Sequence, residues 1–241
     1  MKEQYNIIVL RTIRYNDRHN ILQAYSRQAG PVAFVTPAGN GREASRRRAL
    51  LQPLALIDCV GQRQAGRDLL LLHEPQAAAP LPSLRTNPLK ASVAIFLAEV
   101  LGAVLREGAP DPLLFDFLRA AIEALEQAPA RAVANFHLWF LYSLGQQLGI
   151  APDTAGYRPG MVFDMTDGRF RQTPPLHNRY LPQADSAAVA ALARMSLRTL
   201  PLFSMSRLER NRLLDGILEY YSIHYAALSS LRSLDILRSL F

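Results

Sequence analysis

Short apolar runs separated by turn signals fill the first 75 residues. Residues 6–15 carry β-branched and aliphatic side chains without a helical stripe, which indicates a first strand. Further strands are predicted at 19–26, around Val32–Val35 and ending at Pro37, at 54–60 and at 68–74. Five short strands in so few residues fit a small closed barrel of the oligonucleotide-binding kind better than a sandwich, which needs about seven.

The pattern changes to a helical period after residues 75–83, a segment with three prolines and no periodicity. We therefore predict an α+β protein with a barrel domain over 1–76 and an all-α domain over 84–241. Its predicted helices span about 93–105, 112–125, 133–148, 186–195, 206–225 and 229–240. Asp111 is a predicted N-cap, and Ser206 with Glu209 predicts a capping box. Residues 150–184 predict a small β-hairpin insertion around Thr166-Asp167-Gly168.

Positive charge is concentrated at the two ends of the chain. Of its 27 basic residues only Lys2 and Lys90 are lysines, which leaves 25 arginines, and the formal net charge is +7. Residues 1–80 carry +5, 81–155 carry −2 and 156–241 carry +4. This balance favours an acidic partner such as nucleic acid, because guanidinium groups bind phosphate and carboxylate in a bidentate fashion. GC-rich coding could produce the same arginine bias.

The sequence offers no convincing catalytic or metal-binding pattern. The five histidines have no ligand-like spacing, and Gly39-Asn40-Gly41 lacks the Lys-Ser/Thr that follows in a phosphate-binding loop. Cys59 is the single cysteine, so neither an internal disulfide nor a cysteine-based zinc site is predicted. No signal peptide or membrane-spanning run is visible. We expect a cytoplasmic, nucleoid-associated binding protein without enzymatic activity or cofactor.

The strongest candidate surface follows the third strand. A glycine-broken loop after Pro37 runs into four arginines, and we predict that this loop presents them on an exposed edge. Arginines near the first hairpin and in the last barrel loop are expected to join them in one groove. The predicted DNA-binding residues are Arg42, Arg46, Arg47, Arg48, Arg11, Arg14, Arg18, Arg63 and Arg67. A solvated charge run without a partner is the alternative.

Contact with phosphates rather than base readout is the predicted mode of binding. Tyr15, Tyr25 and Phe34 are the aromatic residues that could stack on bases, but two of the three are expected in the core. If about four phosphates are neutralised, the affinity for DNA should fall roughly a hundredfold between 50 and 200 mM salt.

A second candidate surface lies at the start of the capped helix. Arg207 and Arg210 share an angular face with Leu214, and a positive helix end beside an apolar groove can hold an acidic peptide terminus. An intramolecular ion pair is the more common explanation of such an arrangement.

Both ends of the chain resemble the bacterial recombination mediator family RecO. The N-terminal likeness rests on Val9-Leu10-Arg11-Thr12, Tyr15, Asp17, Ile21, Ser26, Gly30, Phe34 and Leu51-Gln52-Pro53-Leu54. The C-terminal likeness rests on Tyr221, His224 and Leu231-Arg232-Ser233-Leu234. The order of these segments and the length of the chain match the family across nearly the whole chain.

This resemblance implies a non-enzymatic DNA repair mediator that binds single- and double-stranded DNA, anneals complementary strands and helps to load recombinase. It also implies two protein partners, a RecR-type ring protein and the acidic C-terminal tail of the single-strand-binding protein. Many family members carry a four-cysteine zinc module where this chain has residues 150–184, and none of those cysteines is present here. The hairpin is therefore expected to replace the zinc. An RNA-binding or ribosome-associated barrel protein, and a scaffold for acidic proteins, remain alternatives.

Overall fold

A computed structural model describes residues 1–63, 69–225, 228 and 231–241. Within it the chain forms two compact units, residues 1–126 and 127–241. The predicted division at 75–83, with domains 1–76 and 84–241, stays a prediction. None of the helices in the described part of the chain is both long and apolar enough to cross a lipid bilayer.

The first unit contains a closed five-stranded barrel, which confirms the predicted fold class. Its strands follow one another around the barrel in the order β1-β2-β3-β5-β4. All neighbours are antiparallel except β3 and β5, which are parallel. The strands are β1 (Lys2–Arg14), β2 (His19–Ser26), β3 (Gly30–Pro37), β4 (Leu56–Arg63) and β5 (Leu70–Ala77). This is the arrangement of an oligonucleotide-binding barrel.

Alternate residues of the strands fill the barrel interior. Tyr5, Ile7 and Val9 of β1 point inward together with Leu22 and Phe34, and the rings of Tyr5 and Phe34 meet edge to face with centroids 5.7 Å apart. The register of β1 against β2 shifts between Val9 and Arg11, where a β-bulge interrupts the pairing. A bulge changes which face the following side chains occupy.

A loop follows β3 at residues 38–41 as predicted, but the arginines after it lie on a helix, so the prediction that a loop presents them was wrong. Helix α1 (Arg42–Leu50) begins after Gly41, which is the N-cap but supplies no side-chain cap. Glu43 lies in its first turn and Arg47 and Arg48 in its last, which suits the helix dipole. Alanine, glutamate and arginine are also good helix formers, and their combined propensity outweighs the glycines that precede them.

Three further helices complete the first unit: α2 (Pro82–Thr86), α3 (Pro88–Val104) and α4 (Pro112–Gln127). The side chain of Asp111 accepts hydrogen bonds of 3.0 Å from the backbone N–H groups of Leu113 and Leu114, as predicted for an N-cap. Helix α3 packs against β1. Gly30, at φ +67°, lies against Ala109, whose carbonyl oxygen would be 3.2 Å from an added Cβ.

The second unit is mainly helical. It contains α5 (Ala130–Gln147), β6 (Val162–Asp164), β7 (Arg169–Arg171), β8 (Tyr180–Leu181), α6 (Gln183–Leu192), a 3-10 turn at Leu200–Leu202, α7 (Arg207–His224) and α8 (Leu234–Leu240). The hairpin insertion is present, but β8 adds a third strand to it, in the order β7-β6-β8. The capping box of Ser206 and Glu209 forms as predicted. The last helix begins at Leu234 rather than 229, a residue outside the described ranges.

Candidate nucleic-acid interface

A groove of about 620 Å³ lies where the ends of β1 and β3 meet α1. We call it the arginine groove. Four arginines line it, and Asp17 is the single carboxylate among its described lining residues. The four are Arg11, Arg14, Arg47 and Arg48. Such an excess of guanidinium groups on a concave, partly apolar surface attracts a polyanion and holds its phosphates.

Helix α1 presents only half of its arginines to this groove. Ala44, Arg47 and Arg48 line it, whereas Arg42 and Arg46 lie on the opposite, exposed side of the helix. At 100° per residue Arg42 and Arg46 point about 160° away from Ala44. The predicted set of four is therefore divided between two faces, because a helix, unlike the expected loop, fixes the angle of each side chain.

Arg47 and Arg48 are held in place by the chain that precedes α1. Arg47 donates to the carbonyl oxygen of Pro37 at 3.0 Å, and Arg48 donates to the carbonyl oxygen of Gly39 at 2.9 Å. Both guanidinium groups keep further N–H donors for a ligand, since each has five. These bonds orient the two cations before any ligand arrives, which lowers the entropy lost on binding.

Arg11 reaches the surface because of the bulge in β1. Val9 is opposite Ala24 and Arg11 is opposite Gln23, which leaves Leu10 as the extra residue. Strict alternation from Val9 would turn Arg11 into the barrel, so the extra residue puts its guanidinium on the outer face. There Arg11 donates to the Gln23 side chain.

Two of the groove arginines form weak ion pairs with exposed carboxylates. Arg14 contacts Asp17 at 2.6 Å, but the Asp17 side chain is 94% exposed. Arg47 contacts Glu43 at 3.2 Å, and the Glu43 side chain is 90% exposed. Exposed pairs of this kind contribute only about 0–1 kcal/mol. A phosphate can therefore replace either carboxylate at little cost.

Two other predicted arginines, Arg18 and Arg63, lie outside the arginine groove. Arg18 is exposed in the turn between β1 and β2, and its carbonyl oxygen accepts a bond from Ala38, a groove residue. The backbone N–H of Arg63 donates to the carbonyl oxygen of Met1, just before β1. Met1 lies roughly 30 Å along that strand from Arg11, at about 3.3 Å per residue. The structure does not bring Arg63 to the groove. Arg67 lies outside the described residues.

Polar residues without charge, which were not predicted from the sequence, complete the arginine groove. Thr12, Asn20 and Gln52 line it beside the arginines. Their hydroxyl and amide groups can bond to phosphate or sugar oxygens. Thr12 and Asn20 could have been predicted as groove residues, because both lie near the ends of predicted strands.

One of the three aromatic candidates for base stacking is accessible. Phe34 and Tyr25 are 0% and 2% exposed, which confirms that two of the three belong to the core. Tyr15 is 66% exposed and directly follows Arg14 at the tip of the first hairpin. A base could stack on this ring while its phosphate contacts the neighbouring arginine.

The predicted peptide site on α7 is not an open surface. Leu214 is 0% exposed and Arg210 is 8% exposed. The Arg210 guanidinium donates to the Asn135 side chain, to the main-chain oxygen of Phe241 and to that of Met205. Arg207 is exposed, and its Nε donates to the carbonyl oxygen of Arg238 at 2.9 Å. The three residues are thus divided between the interior and the surface, and Arg210 acts inside the unit.

A buried carboxylate organises the three-stranded insertion. The Asp164 side chain is 1% exposed and receives Nε–H of Arg171 at 2.7 Å. Burial alone would raise the pKa of Asp164, but hydrogen bonds from the Asp167 and Thr166 backbones and from Arg171 outweigh it and hold this pKa below its ordinary value. His177 lies 3.4 Å from the same carboxylate.

In the described part of the chain no group of three or more His, Cys, Asp or Glu side chains could hold a metal ion. Cys59 is buried in the barrel, and burial raises the pKa of its thiol to about 12. That thiol therefore stays protonated at neutral pH and is a poor nucleophile.

Two family models together cover most of the chain. The model described as Recombination protein O N terminal matches residues 1–80, and the one described as Recombination protein O C terminal matches 85–235. Curated relatives also align along nearly their whole length. The protein named DNA repair protein RecO from Phocaeicola vulgatus is 38% identical over 234 residues, 97% of each chain. Its namesakes from Azobacteroides pseudotrichonymphae and Porphyromonas gingivalis are 35% and 33% identical, again over 97% of each chain.

Proposed function

This chain belongs to the RecO family of DNA repair proteins, and we propose that it acts as a non-enzymatic recombination mediator whose arginine groove binds DNA. In this proposal the groove holds the sugar-phosphate backbone of a single strand or a duplex. The observation that carries it is the meeting of Arg11, Arg14, Arg47 and Arg48 at one end of an oligonucleotide-binding barrel.

Binding in this groove is expected to be independent of base sequence. Guanidinium groups contact phosphates, which are the same for every base, and sequence is read from base edges. The accessible ring of Tyr15 adds stacking, which every base can provide. A mediator that must act on any damaged region needs this tolerance.

Annealing of complementary strands follows from the same electrostatics. Two strands repel each other through their phosphates, and a surface rich in arginine screens that repulsion while the bases pair. Base pairing itself then supplies the free energy, so no nucleotide hydrolysis is needed.

We further propose that the second unit serves protein partners, a RecR-type ring protein and the acidic tail of the single-strand-binding protein, and that these contacts direct recombinase loading. The net charge of +4 over residues 156–241 supports an acidic partner. Because Arg210 and Leu214 are buried, no residue-level site for the tail is assigned.

A competition assay tests the DNA assignment. Labelled single-stranded DNA is displaced by unlabelled single strands, duplex or structured RNA, and annealing of two complementary strands is followed by fluorescence in the same buffer. We expect single-stranded DNA to bind and annealing to accelerate without ATP. Stronger displacement by structured RNA, with no acceleration of annealing, would instead support the alternative of an RNA-binding barrel protein.

A further inference from the structure

A second groove of about 460 Å³ lies beside the arginine groove in the same unit. It runs between β2 and β3 of the barrel and the C-terminal end of α3. Pro31 and Ala33 belong to its barrel side, and Gly102 and Arg106 to its helix side. We call it the lateral groove.

Arg11 lines both grooves. Along β3 the lateral groove includes Pro31–Ala33 and the arginine groove includes Thr36 and Pro37, so the two follow one strand from its beginning to its end. The bulge in β1 puts the Arg11 guanidinium on the outer face at the junction between them. A chain of phosphates leaving the arginine groove past Arg11 would therefore reach the lateral groove.

The lateral groove has the chemistry that a nucleic-acid strand requires. Its charged lining residues are Arg11 and Arg106, and no carboxylate is found among its described lining residues. Arg106 is exposed, just beyond the end of α3, and forms no ion pair with a described residue. Pro31 and Ala33 are only partly buried and provide apolar surface against which sugars or bases can lie.

From this geometry we propose that the lateral groove is a second subsite for the same polynucleotide strand, with Arg106 as its phosphate contact. The proposal rests on the proposed function, since it extends the path of DNA that binds the arginine groove. The distance from Pro31 to Pro37, six residues further along β3, is roughly 20 Å at about 3.3 Å per residue, which is room for about six stacked nucleotides at about 3.4 Å each. A single strand therefore needs to be longer than the arginine groove alone to reach Arg106.

Strand length is the variable that tests this proposal. The affinities of oligonucleotides of about 4 and about 12 nucleotides are measured against salt for the unaltered chain, Arg106→Ala and Arg119→Ala. Arg119 is a control, since it is also an exposed arginine of the first unit but lines neither groove. For Arg106→Ala we expect the salt slope of the long strand to fall by about 0.7, the contribution of one phosphate, and the slope of the short strand to stay unchanged.

A second pair of variants tests the groove independently of Arg106. Gly102 lines the lateral groove, and an added Cβ there would meet nothing within 4 Å. Gly102→Glu and Gly102→Gln place side chains of equal size in the groove and differ only in charge. We expect Gly102→Glu to weaken binding of the long strand about threefold more than Gly102→Gln, because an exposed like charge costs a few tenths of a kcal/mol to about 1 kcal/mol. The two variants should bind the short strand equally well.

Three results distinguish failure of this proposal from failure of the proposed function. If the unaltered chain binds neither oligonucleotide, the DNA-binding function itself is wrong. If it binds both, but Arg106→Ala weakens them to the same extent, Arg106 acts only through the general positive field and the subsite is rejected. Equal losses for Arg106→Ala and Arg119→Ala with the long strand would reject it as well.

Discussion

The two faces of α1 allow one helix to test which arginines hold phosphate. Arg47→Ala with Arg48→Ala removes two cations from the arginine groove, and Arg42→Ala with Arg46→Ala removes two from the opposite face. Both variants lose the same charge from the same nine-residue helix. Any difference between them therefore reports geometry rather than net charge.

The expected magnitude follows from counterion release. With four groove arginines and about 0.7 counterions released per phosphate of a single strand, the slope of log affinity against log salt is about −2.8, and the groove-side variant should halve it to about −1.4. Between about 50 and 200 mM salt the affinity of the unaltered chain should then fall about 50-fold, and that of the groove-side variant only about sevenfold. The slope of the solvent-side variant, Arg42→Ala with Arg46→Ala, should stay close to that of the unaltered chain.

Fluorescence anisotropy with a labelled mixed-sequence strand measures these slopes. Since Arg47 and Arg48 also bond to the carbonyl oxygens of Pro37 and Gly39, Arg47→Lys with Arg48→Lys serves as a further control that keeps the charge and loses the bidentate geometry. This variant should retain most of the slope. The reasoning is refuted if the two alanine variants lower the slope equally, or if the solvent-side variant lowers it more.

Three further predictions concern stability, each measured by urea denaturation. Gly30→Ala should lower the free energy of unfolding by about 1–3 kcal/mol, because a Cβ at φ +67° is strained and meets a carbonyl oxygen; an unchanged midpoint would contradict this. The folded pKa of Asp164 lies below its unfolded value, so this carboxylate stabilises the fold above about pH 4 and the contribution is lost as the pH falls through the lower, folded pKa. Asp164→Asn should therefore cost about 1–3 kcal/mol at pH 7 and progressively less as the pH falls below about 4, whereas a cost that does not change with pH would argue against this role. Arg210→Met should cost about 1–3 kcal/mol because buried acceptors lose their donor, whereas the exposed Arg207→Ala should have little effect; similar losses for both would contradict the assignment.

The sequence predicted secondary-structure elements well where their bounds depend on the chemistry of neighbouring side chains. The bounds of β2 at His19–Ser26, the N-cap at Asp111 and the capping box at Ser206 all rest on side chains that act within three residues of their own position. Such interactions depend little on the rest of the fold. They are therefore visible in the sequence.

The candidate sites were less predictable. They depend on the direction of each side chain around a helix and on hydrogen-bond partners that are distant in sequence. Gly39 and Gly41 indicated a loop, but the following residues are good helix formers, and the helix sends Arg42 and Arg46 away from Arg47 and Arg48. The helical period placed Arg210 beside Leu214 on α7, yet no pattern revealed that acceptors on Asn135 and Phe241 cover it.

The role of Arg11 depends on a feature that the sequence does not show. Alternation along β1 would have turned this side chain inward, and the bulge at Leu10 becomes visible only in the pairing with β2. A strand of two residues, such as β8, is likewise too short to give a periodic signal.

Hydrogen exchange with and without bound single-stranded DNA tests the central claim most directly. If the groove at the end of the barrel holds the strand, the backbone amides of α1 and of the Arg11–Arg14 segment of β1 should exchange more slowly in the complex, in the same way for strands of different sequence. Protection confined to residues 127–241, with α1 and the end of β1 unchanged, would contradict it.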